Sequence, residues 1–600
     1  MIDEKFKDAS PKRTIERIKG ILQNYHISAA EEWRHSGVSN CYAIKVYDLE
    51  GSFQSIGKGV TEELCLASGY AEFMERLQAG YIERRMIRDN LLVYKDAVKM
   101  STDEAFRVCK PYLNSIVKSV RSLFATEVSD EFVFQSCIAA DNSEDSTILM
   151  LPFYNASTDS MTYYPQRFIR YLYSTNGLAA GNTVEEAIVQ SFSEIVERNH
   201  LISILFNGIV PPNVPDDYLK HYRLSWQTIQ EVRSHGYELL IKDCSLGDGY
   251  PLLAAVAINK DTHAYHVHFG AHPVFEIALE RSLTEMFQGR SIDNVATNKH
   301  FLRPGKPELG NLIKMMTYGF GEYPLEFFYG TPSYEFKPFR DYSGKTNLEL
   351  LQEIKHVLDK NGYQMLVRNN SHLGFTAVRV IIPGFSELFS EFLLTKYPLM
   401  QQMEKHKKSF AGIDKADIAS KTEYRLLLQN ELGMYGNDYP FYPNITGIRL
   451  SRDVLRLRFP ARMLFAYLEW ECGSKKKANS MATSAASYSN FQEDRDYLAA
   501  YDCINEHLLN GIKLDDTIAY LSHFYDDAIL NELQYIIANG KNPFERFLLH
   551  CVPENCACCK YRDECRAPGD WELTKKVNAA VQLFDNERAF RNLKELFSSL

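Results

Sequence analysis

The stretch NGLAAGNTVEEAIVQSFSEIVERN, residues 176–199, decides the reading of this chain. A glycine-bearing loop runs into a helical pattern. Ala187, Ile188, Val189, Phe192, Ile195 and Val196 say that part of that helix is buried. Glu186, Gln190, Glu194 and Glu197 interrupt it. At 100° per residue they fall at about 0°, 40°, 80° and 20° around the axis, on one stripe. Like charges at i,i+4 destabilise an isolated helix, so the stripe predicts something positive beside it. A capping box between Thr183 and Glu186 is an alternative account of Glu186 alone.

The same spacing occurs twice more. LASGYAEFMERLQAG carries Ser68, Glu72 and Glu75, followed by Arg76. ALERSLTEMFQGR carries Arg281, Glu285 and Gln288. Each set lies on a narrow face among Ala, Leu, Phe and Met. Carboxylates on buried faces are costly unless paired or bound to metal. The neighbouring arginines are too few to neutralise Glu72, Glu75, Glu194, Glu197 and Glu285. A hard cation such as Mg²⁺ accepts a few carboxylates and leaves positions for water and phosphate oxygens. A nucleoside triphosphate would in turn account for Arg198 and Arg281. The loops SIGKGV (55–60) and GLAAGNT (177–183) suit an anion, the second at a helix N-terminus. Neither is a Walker A sequence. Lys58 reads equally as a surface lysine or a phosphate contact. For any one helix, surface charge is the bland account; three matching helices argue against it jointly.

The rest of the chain bounds the answer. It has 600 residues, 45% apolar and 24% charged, ordinary for a globular protein. A net charge of −10 gives no global pull toward nucleic acid or an anionic membrane. The start, MIDEKFKDASPKRTIERI, has no apolar signal core, and runs such as LLAAVAI are far short of a membrane span. A cytoplasmic protein without direct nucleic-acid or membrane contact is expected.

Residues 1–35 read as helical. SNCYAIKVYDLEG, SFQSIGKG, EFVFQSCIAA, TILMLPFY, YELLIKDCSL, YPLLAAVAINK, HAYHVHFGAH, YQMLVRNN and FTAVRVIIPG read as β-type runs. Helices are expected from about 61 to 85 and over VFEIALERSLTEMFQGR. From about residue 400 the patterns are almost all helical, with a polar interruption at 472–494. The expected organisation is a mixed α/β (α+β) domain at 1–395 and an all-α C-terminal region at 400–600.

The motifs SxxxExxER (68–76), GLAAGNT with QSFSEIVER (190–198), and RSLTE with FQGR (281–290) resemble the signature of the YcaO family. FKDASPKRTIERI, FGAHPVFEIALERSLTEMFQGR and NNSHLGFTAVRVIIPGFSELF are similar to its stand-alone members. The resemblance covers about residues 1–395. It implies a YcaO-type ATP-binding α/β fold and an enzyme that uses ATP and Mg²⁺ to phosphorylate a peptide backbone amide oxygen. A nucleophile then replaces that oxygen, giving azolines, thioamides or amidines. By the resemblance, Glu72, Glu75, Glu194, Glu197 and Glu285 hold magnesium. Lys7, Thr14, Ser68, Asn182, Glu186, Gln190, Arg198 and Arg281 contact the nucleotide. No catalytic side chain is assigned, which agrees with phosphoryl transfer by positioning and charge stabilisation.

The resemblance also implies a peptide or ribosomal-protein substrate. Stand-alone members are associated with the methylthiotransferase RimO, which modifies a small-subunit ribosomal protein. Members that modify ribosomally made peptides use partners such as TfuA-like proteins, and homodimers are common. Azoline-forming members typically end in a PxPxP tail, whereas this chain ends NLKELFSSL and shows no peptide-clamp region before the YcaO body. Both departures favour the accessory role in methylthiolation over a self-contained cyclodehydratase. A non-catalytic ATP-binding recruitment protein is the rival from another class.

Of 12 cysteines, five fall in HCVPENCACCKYRDEC, 550–565. Cys556, Cys559 and Cys565 give C-x2-C-x5-C, with Cys551 as a fourth thiolate, and the set suits Zn²⁺ or an iron–sulfur cluster. Reduced thiols or a redox pair are the alternatives. The scattered cysteines read as buried apolar thiols.

Overall fold

The computed structural model describes residues 6–82, 92–124, 127–138, 147–303, 309–388, 413, 415–435, 460–486, 492–548 and 566–600. The first part is mixed α/β, as expected. Helix α1 (Pro11–Asn24) is capped by Ser10, whose hydroxyl accepts from Arg13 N. Strands β1 (Ala29–His35), β2 (Tyr42–Asp48) and β3 (Gln54–Gly59) then form an antiparallel sheet. β1 was not expected. Its run AAEEWRH looks polar because it is an edge strand, exposed over Glu31–Trp33, and charged edges deter further pairing.

Helix α2 (Glu62–Gln78) starts at Thr61, whose hydroxyl accepts from Leu64 N at 3.2 Å. It lies directly on β3. A Cβ on Gly57 would fall 2.3 Å from Gly69 N, so only glycine permits this approach. That contact fixes how far Glu72 and Glu75 project from the sheet.

A second, larger sheet begins with β4 (Val98–Ser101), β5 (Thr147–Asn155), β6 (Ser160–Pro165) and β7 (Leu178–Ala180). The run EFVFQSCIAA gives a helix at Asp130–Ile138 rather than a strand. Its aromatic, β-branched composition is overridden by packing of Val133, Phe134 and Cys137 against helix Thr102–Phe124.

Helix α3 (Val184–Asn207) carries the opening motif and ends at Gly208, which is left-handed at φ 61°. Strands β8 (Tyr237–Asp243), β9 (Leu252–Asn259) and β10 (Tyr265–Ala271) form an antiparallel sheet in order β10–β9–β8. Helix α4 (Phe275–Met286) packs on β9 and β10. Helix α5 is Leu309–Tyr318. The short strands β11 (Phe301–Leu302) and β12 (Tyr323–Pro324) pair in parallel. Strands β13 (Leu366–Asn369) and β14 (Ala377–Ile381) complete the second sheet, in order β4–β5–β13–β14–β7 with β6 on β5. α3 packs on β7 and β14.

Beyond residue 400 every described element is helical, including Lys475–Ala486 inside the stretch read as a polar interruption. Ser474 starts that helix, its hydroxyl accepting from Lys477 N. Residues between 413 and 547 share one apolar cluster around Tyr424, Leu464, Tyr497, Tyr501, Leu533 and Phe544.

The last two helices, α6 (Ala567–Leu583) and α7 (Asn586–Ser598), belong elsewhere. Leu573, Val577, Ala580 and Val581 of α6 pack with Ile18, Val46 and Phe73 of the α/β body. Leu593 and Phe597 of α7 pack with Ile188 and Val367. Asp570 accepts from Ser52 N at 2.7 Å and Ser52 Oγ at 2.6 Å. A single helical unit over 400–600 therefore needs redrawing: its last two helices complete the cores of the body. An apolar stripe on a helix says that it is buried, not against what.

Candidate functional site

Helices α2, α3 and α4 enclose a cavity of about 720 Å³. Every candidate drawn from the three helical motifs lines it: Ser68, Glu72 and Glu75 from α2, Glu186, Gln190, Glu194, Glu197 and Arg198 from α3, and Arg281 and Glu285 from α4. Asn182, from the loop before α3, and Lys7 and Thr14, near the N-terminus, line it as well.

At one end sits a polar network. Lys7 Nζ donates to Glu186 Oε1 at 3.1 Å. Glu186 Oε2 accepts from Asp8 N at 3.0 Å and from Asn182 Nδ2 at 3.1 Å. Thr14 Oγ1 donates to Asn182 Oδ1 at 2.8 Å. Only half of the capping box forms: Thr183 Oγ1 accepts from Glu186 N at 3.2 Å, while the Glu186 carboxylate turns to Lys7, Asp8 and Asn182. Glu186 is 4% exposed. Burial pushes its carboxyl up, but Lys7 and the hydrogen bonds win and hold it below the usual carboxylate range. Arg281 donates to Ala271 O at 2.7 Å and to Gln190 Oε1.

The middle of the cavity is acidic. Arg76 lies 3.0 Å from Glu75 and 3.9 Å from Glu72. Arg198 lies 3.8 Å from Glu194 and 3.9 Å from Glu197. Lys58, at the end of β3, pairs with Glu285, so it is not a free surface lysine. These cations do not fully compensate. Burial pushes the Glu75 carboxyl up to about 8 against the pull of Arg76, with Glu72 and Glu194 adding repulsion. Burial also raises Glu194, against Arg198 and Arg76. Desolvation draws the Lys58 ammonium down to about 8, despite Glu197 and Glu72.

Two contributors escaped the sequence reading. Arg379 of β14 is 3% exposed and donates to Ser174 O at 2.9 Å, Asn176 O at 2.8 Å and Tyr81 Oη at 3.0 Å. It lowers both Glu75 and Glu194 electrostatically from behind the cavity. The signal was a lone cation inside the apolar run AVRVI. Gln78, fully buried at the end of α2, donates to Phe375 O and accepts from Leu373 N, tying α2 to the loop before β14.

The donor set fits a hard cation: all carboxylate, on one cavity, with two members held above the usual range by burial that the nearby arginines do not fully offset. Among the described residues no three His, Cys, Asp or Glu side chains are arranged to hold a metal ion. The carboxylates lean on Arg76, Arg198 and Lys58 instead. Cys551, Cys556, Cys559 and Cys565 lie outside the described residues, as does Cys558. Five of the scattered cysteines, Cys41, Cys65, Cys109, Cys137 and Cys244, are buried free thiols, as read, whereas Cys472 and Cys503 are only half-buried. No helix among the described residues is long and apolar enough to cross a membrane.

Residues 56–386 match the family model described as YcaO cyclodehydratase, ATP- and Mg²⁺-binding. The chain belongs to the YcaO family. It is 29% identical over 393 residues to the ribosomal protein S12 methylthiotransferase accessory factor YcaO of Escherichia coli, covering 64% of this chain and 66% of that protein. An uncharacterized protein of Haemophilus influenzae is 28% identical over 391 residues, with the same coverage of 64% and 66%. The matches thus span just under two thirds of these relatives' length. Among solved structures, YcaO from Methanopyrus kandleri bound with AMPPCP and Mg²⁺ shares 18% identity, covering 65% of this chain and 94% of that one, at a TM-score of 0.39.

Proposed function

We propose that this chain binds ATP with Mg²⁺ in the cavity and phosphorylates a backbone amide oxygen of a peptide. The observation that carries the reading is the convergence of Glu72, Glu75, Glu194, Glu197 and Glu285, from three helices, on one cavity that also holds Lys7, Asn182, Gln190, Arg198 and Arg281. The family description supplies the ligands, ATP and Mg²⁺.

In this reading the five glutamates hold Mg²⁺, turning from Arg76, Arg198 and Lys58 to do so. Lys7, Thr14, Ser68, Asn182, Glu186, Gln190, Arg198 and Arg281 hold the nucleotide. Bound Mg²⁺ supplies charge neutralisation of the polyphosphate. The chain's own part is positional. The Lys7–Glu186–Asn182–Thr14 network fixes one end, and Arg281 is oriented by Ala271 O and Gln190. Arg198 and Arg281 offset phosphate charge in a partly dry cavity, where such charges act strongly. The amide oxygen bonds to the γ-phosphorus as ADP leaves.

The acceptor we favour is a small-subunit ribosomal protein, with a RimO-type methylthiotransferase as partner in the cytoplasm, on the likeness to the Escherichia coli factor. Thioamide, amidine or azoline formation on a ribosomally made peptide would use the same cavity, with a TfuA-like partner.

The test is calorimetric titration of ATP into the purified protein, with and without Mg²⁺, for wild type and Glu197→Gln. Binding that needs Mg²⁺ and is lost in the variant is the expected result. Normal Mg-ATP binding by Glu197→Gln would remove the three-helix assignment. Tight binding without hydrolysis in the presence of acceptor and partner would favour a recruitment protein.

A further inference from the structure

The cavity has a second end that the nucleotide assignment leaves unused. His272, just past β10, is within electrostatic reach of Lys7 and Arg281. His268 lies four residues back along the strand, about 13 Å at ~3.3 Å per residue. It lines the same cavity. The groups facing it there are Arg290, Lys58, Arg198 and His266.

Arg290 follows α4 and also lines the cavity, half-buried. Arg76 and Arg198 each lean on carboxylates, and Arg281 on Gln190 and Ala271 O. The Arg290 guanidinium has no ion pair and no hydrogen-bond partner among the described residues. Desolvation alone accounts for the lowering of its pKa. Within electrostatic reach of Arg290, His266 is 5% exposed with Nε2 unpartnered, and its ring centroid is 5.2 Å from that of His268. Both imidazoles are neutral, because burial drives their pKa values far below the usual histidine range. Gly319 closes over His268: a Cβ added there would come within 2.9 Å of Nε2. Met315, Met316 and Leu388 line the cavity nearby.

We propose that Arg290 and His268 form a carboxylate-binding subsite for the acceptor peptide, at the end of the cavity away from Lys7. This deepens, and rests on, the ATP-dependent reading above. A half-buried, unpaired guanidinium calls for an anion, and its planar fork matches a carboxylate two bonds at a time. The local charge selects the class. Lys58 and Arg198 already lean on Glu285, Glu194 and Glu197, so Arg290 is the one cation facing His268 without a carboxylate partner among the described residues; its single charge balances one carboxylate, whereas a phosphate dianion would remain under-compensated. The carboxylate is an acidic side chain of the acceptor. It anchors the peptide so that a neighbouring amide reaches the acidic middle of the cavity.

The probe is N-acetyl-aspartate N-methylamide, compared with its asparagine counterpart and with inorganic phosphate, titrated into the full chain with Mg·AMPPCP present. The aspartate probe is expected to raise Tm saturably, and the asparagine probe to bind about tenfold or more weakly. Arg290→Gln is expected to lose that discrimination and Arg290→Lys to keep part of it, both retaining Mg-ATP affinity within about twofold. Equal binding of the two amide probes, no binding of the aspartate probe, or stronger binding of phosphate would overturn the subsite. So would a tenfold loss of Mg-ATP affinity in Arg290→Gln, which would place Arg290 in the nucleotide site. Should wild type bind no nucleotide, the ATP reading fails; aspartate binding that Arg290→Gln abolishes would still support the subsite. Wild-type discrimination between aspartate and asparagine decides the matter if Arg290→Gln does not fold.

Discussion

Two glutamates in this molecule, Glu469 buried and Glu75 half-buried, live in opposite electrostatic worlds. Glu469, in the helical cluster, is 1% exposed and fully served by the chain: Lys477 donates at 2.9 Å, Arg425 at 3.2 Å and Ser474 N at 3.0 Å. Burial pushes its carboxyl up, yet these partners hold it below the ordinary range. Glu75, on the cavity, has Arg76 close by but shares it with Glu72, and burial pushes it up to about 8. A carboxylate satisfied from within is part of the scaffold. One left short of positive charge is, in the function proposed above, where a ligand that brings it would bind.

The comparison can be broken at either end. Glu469→Gln leaves Arg425 and Lys477 facing a neutral amide, and removing one member of a buried ion network costs about 3–5 kcal/mol. Denaturant titration of the full chain should show that loss, with Mg-ATP binding to the undenatured protein unchanged. Loss of nucleotide binding at native conditions would mean that the helical cluster and the cavity are coupled.

Glu75→Gln reverses the pattern. Mg-ATP affinity should fall about 100-fold, roughly 2.7 kcal/mol, while thermal stability without ligand holds or rises. A Tm fall comparable to that of Glu469→Gln would show Glu75 to be structural.

The pH dependence sharpens the contrast. Because the folded Glu75 pKa lies above the unfolded value, the native state holds the extra proton between about pH 4.5 and 8. Its contribution favours folding at low pH and is lost as pH rises through about 8. For Glu469 the sign is opposite: its contribution is present above the unfolded pKa and disappears as pH falls through the lowered folded value. The Tm of the ligand-free protein minus that of Glu75→Gln should therefore fall by about 2 °C between pH 6 and 8. A flat difference would show that Glu75 is already ionised at pH 6.

The smallest effect is expected at an exposed pair. Lys575 and Glu572, on α6, are 72% and 57% exposed. Lys575→Met should change stability by less than about 0.5 kcal/mol, which calibrates the other variants.

Much of the site was legible because helical spacing is local. The period of 3.6 residues puts Gln190, Glu194 and Glu197 on one stripe whatever packs against it, and the same holds for Ser68, Glu72 and Glu75. Gly57, inside SIGKGV, and Gly69, inside SxxxExxER, permit the close approach of α2 to β3. The less local features were harder. Arg379 acts on the acidic cluster from a strand of the second sheet, across a separation in sequence that no spacing rule spans. EFVFQSCIAA has strand composition, yet its neighbours make it a helix.

The sequence by itself determined which helices carry charge on an apolar face, that the charges are carboxylates in excess of arginines, and the family. Tertiary structure alone decided that all of them meet in one cavity, that Lys58 pairs with Glu285, that Arg290 has no partner among the described residues, and that α6 and α7 complete the α/β cores. The reason is physical. Periodicity is set by bonds between near neighbours, whereas the partner of a buried charge or apolar stripe is chosen by packing among segments hundreds of residues apart.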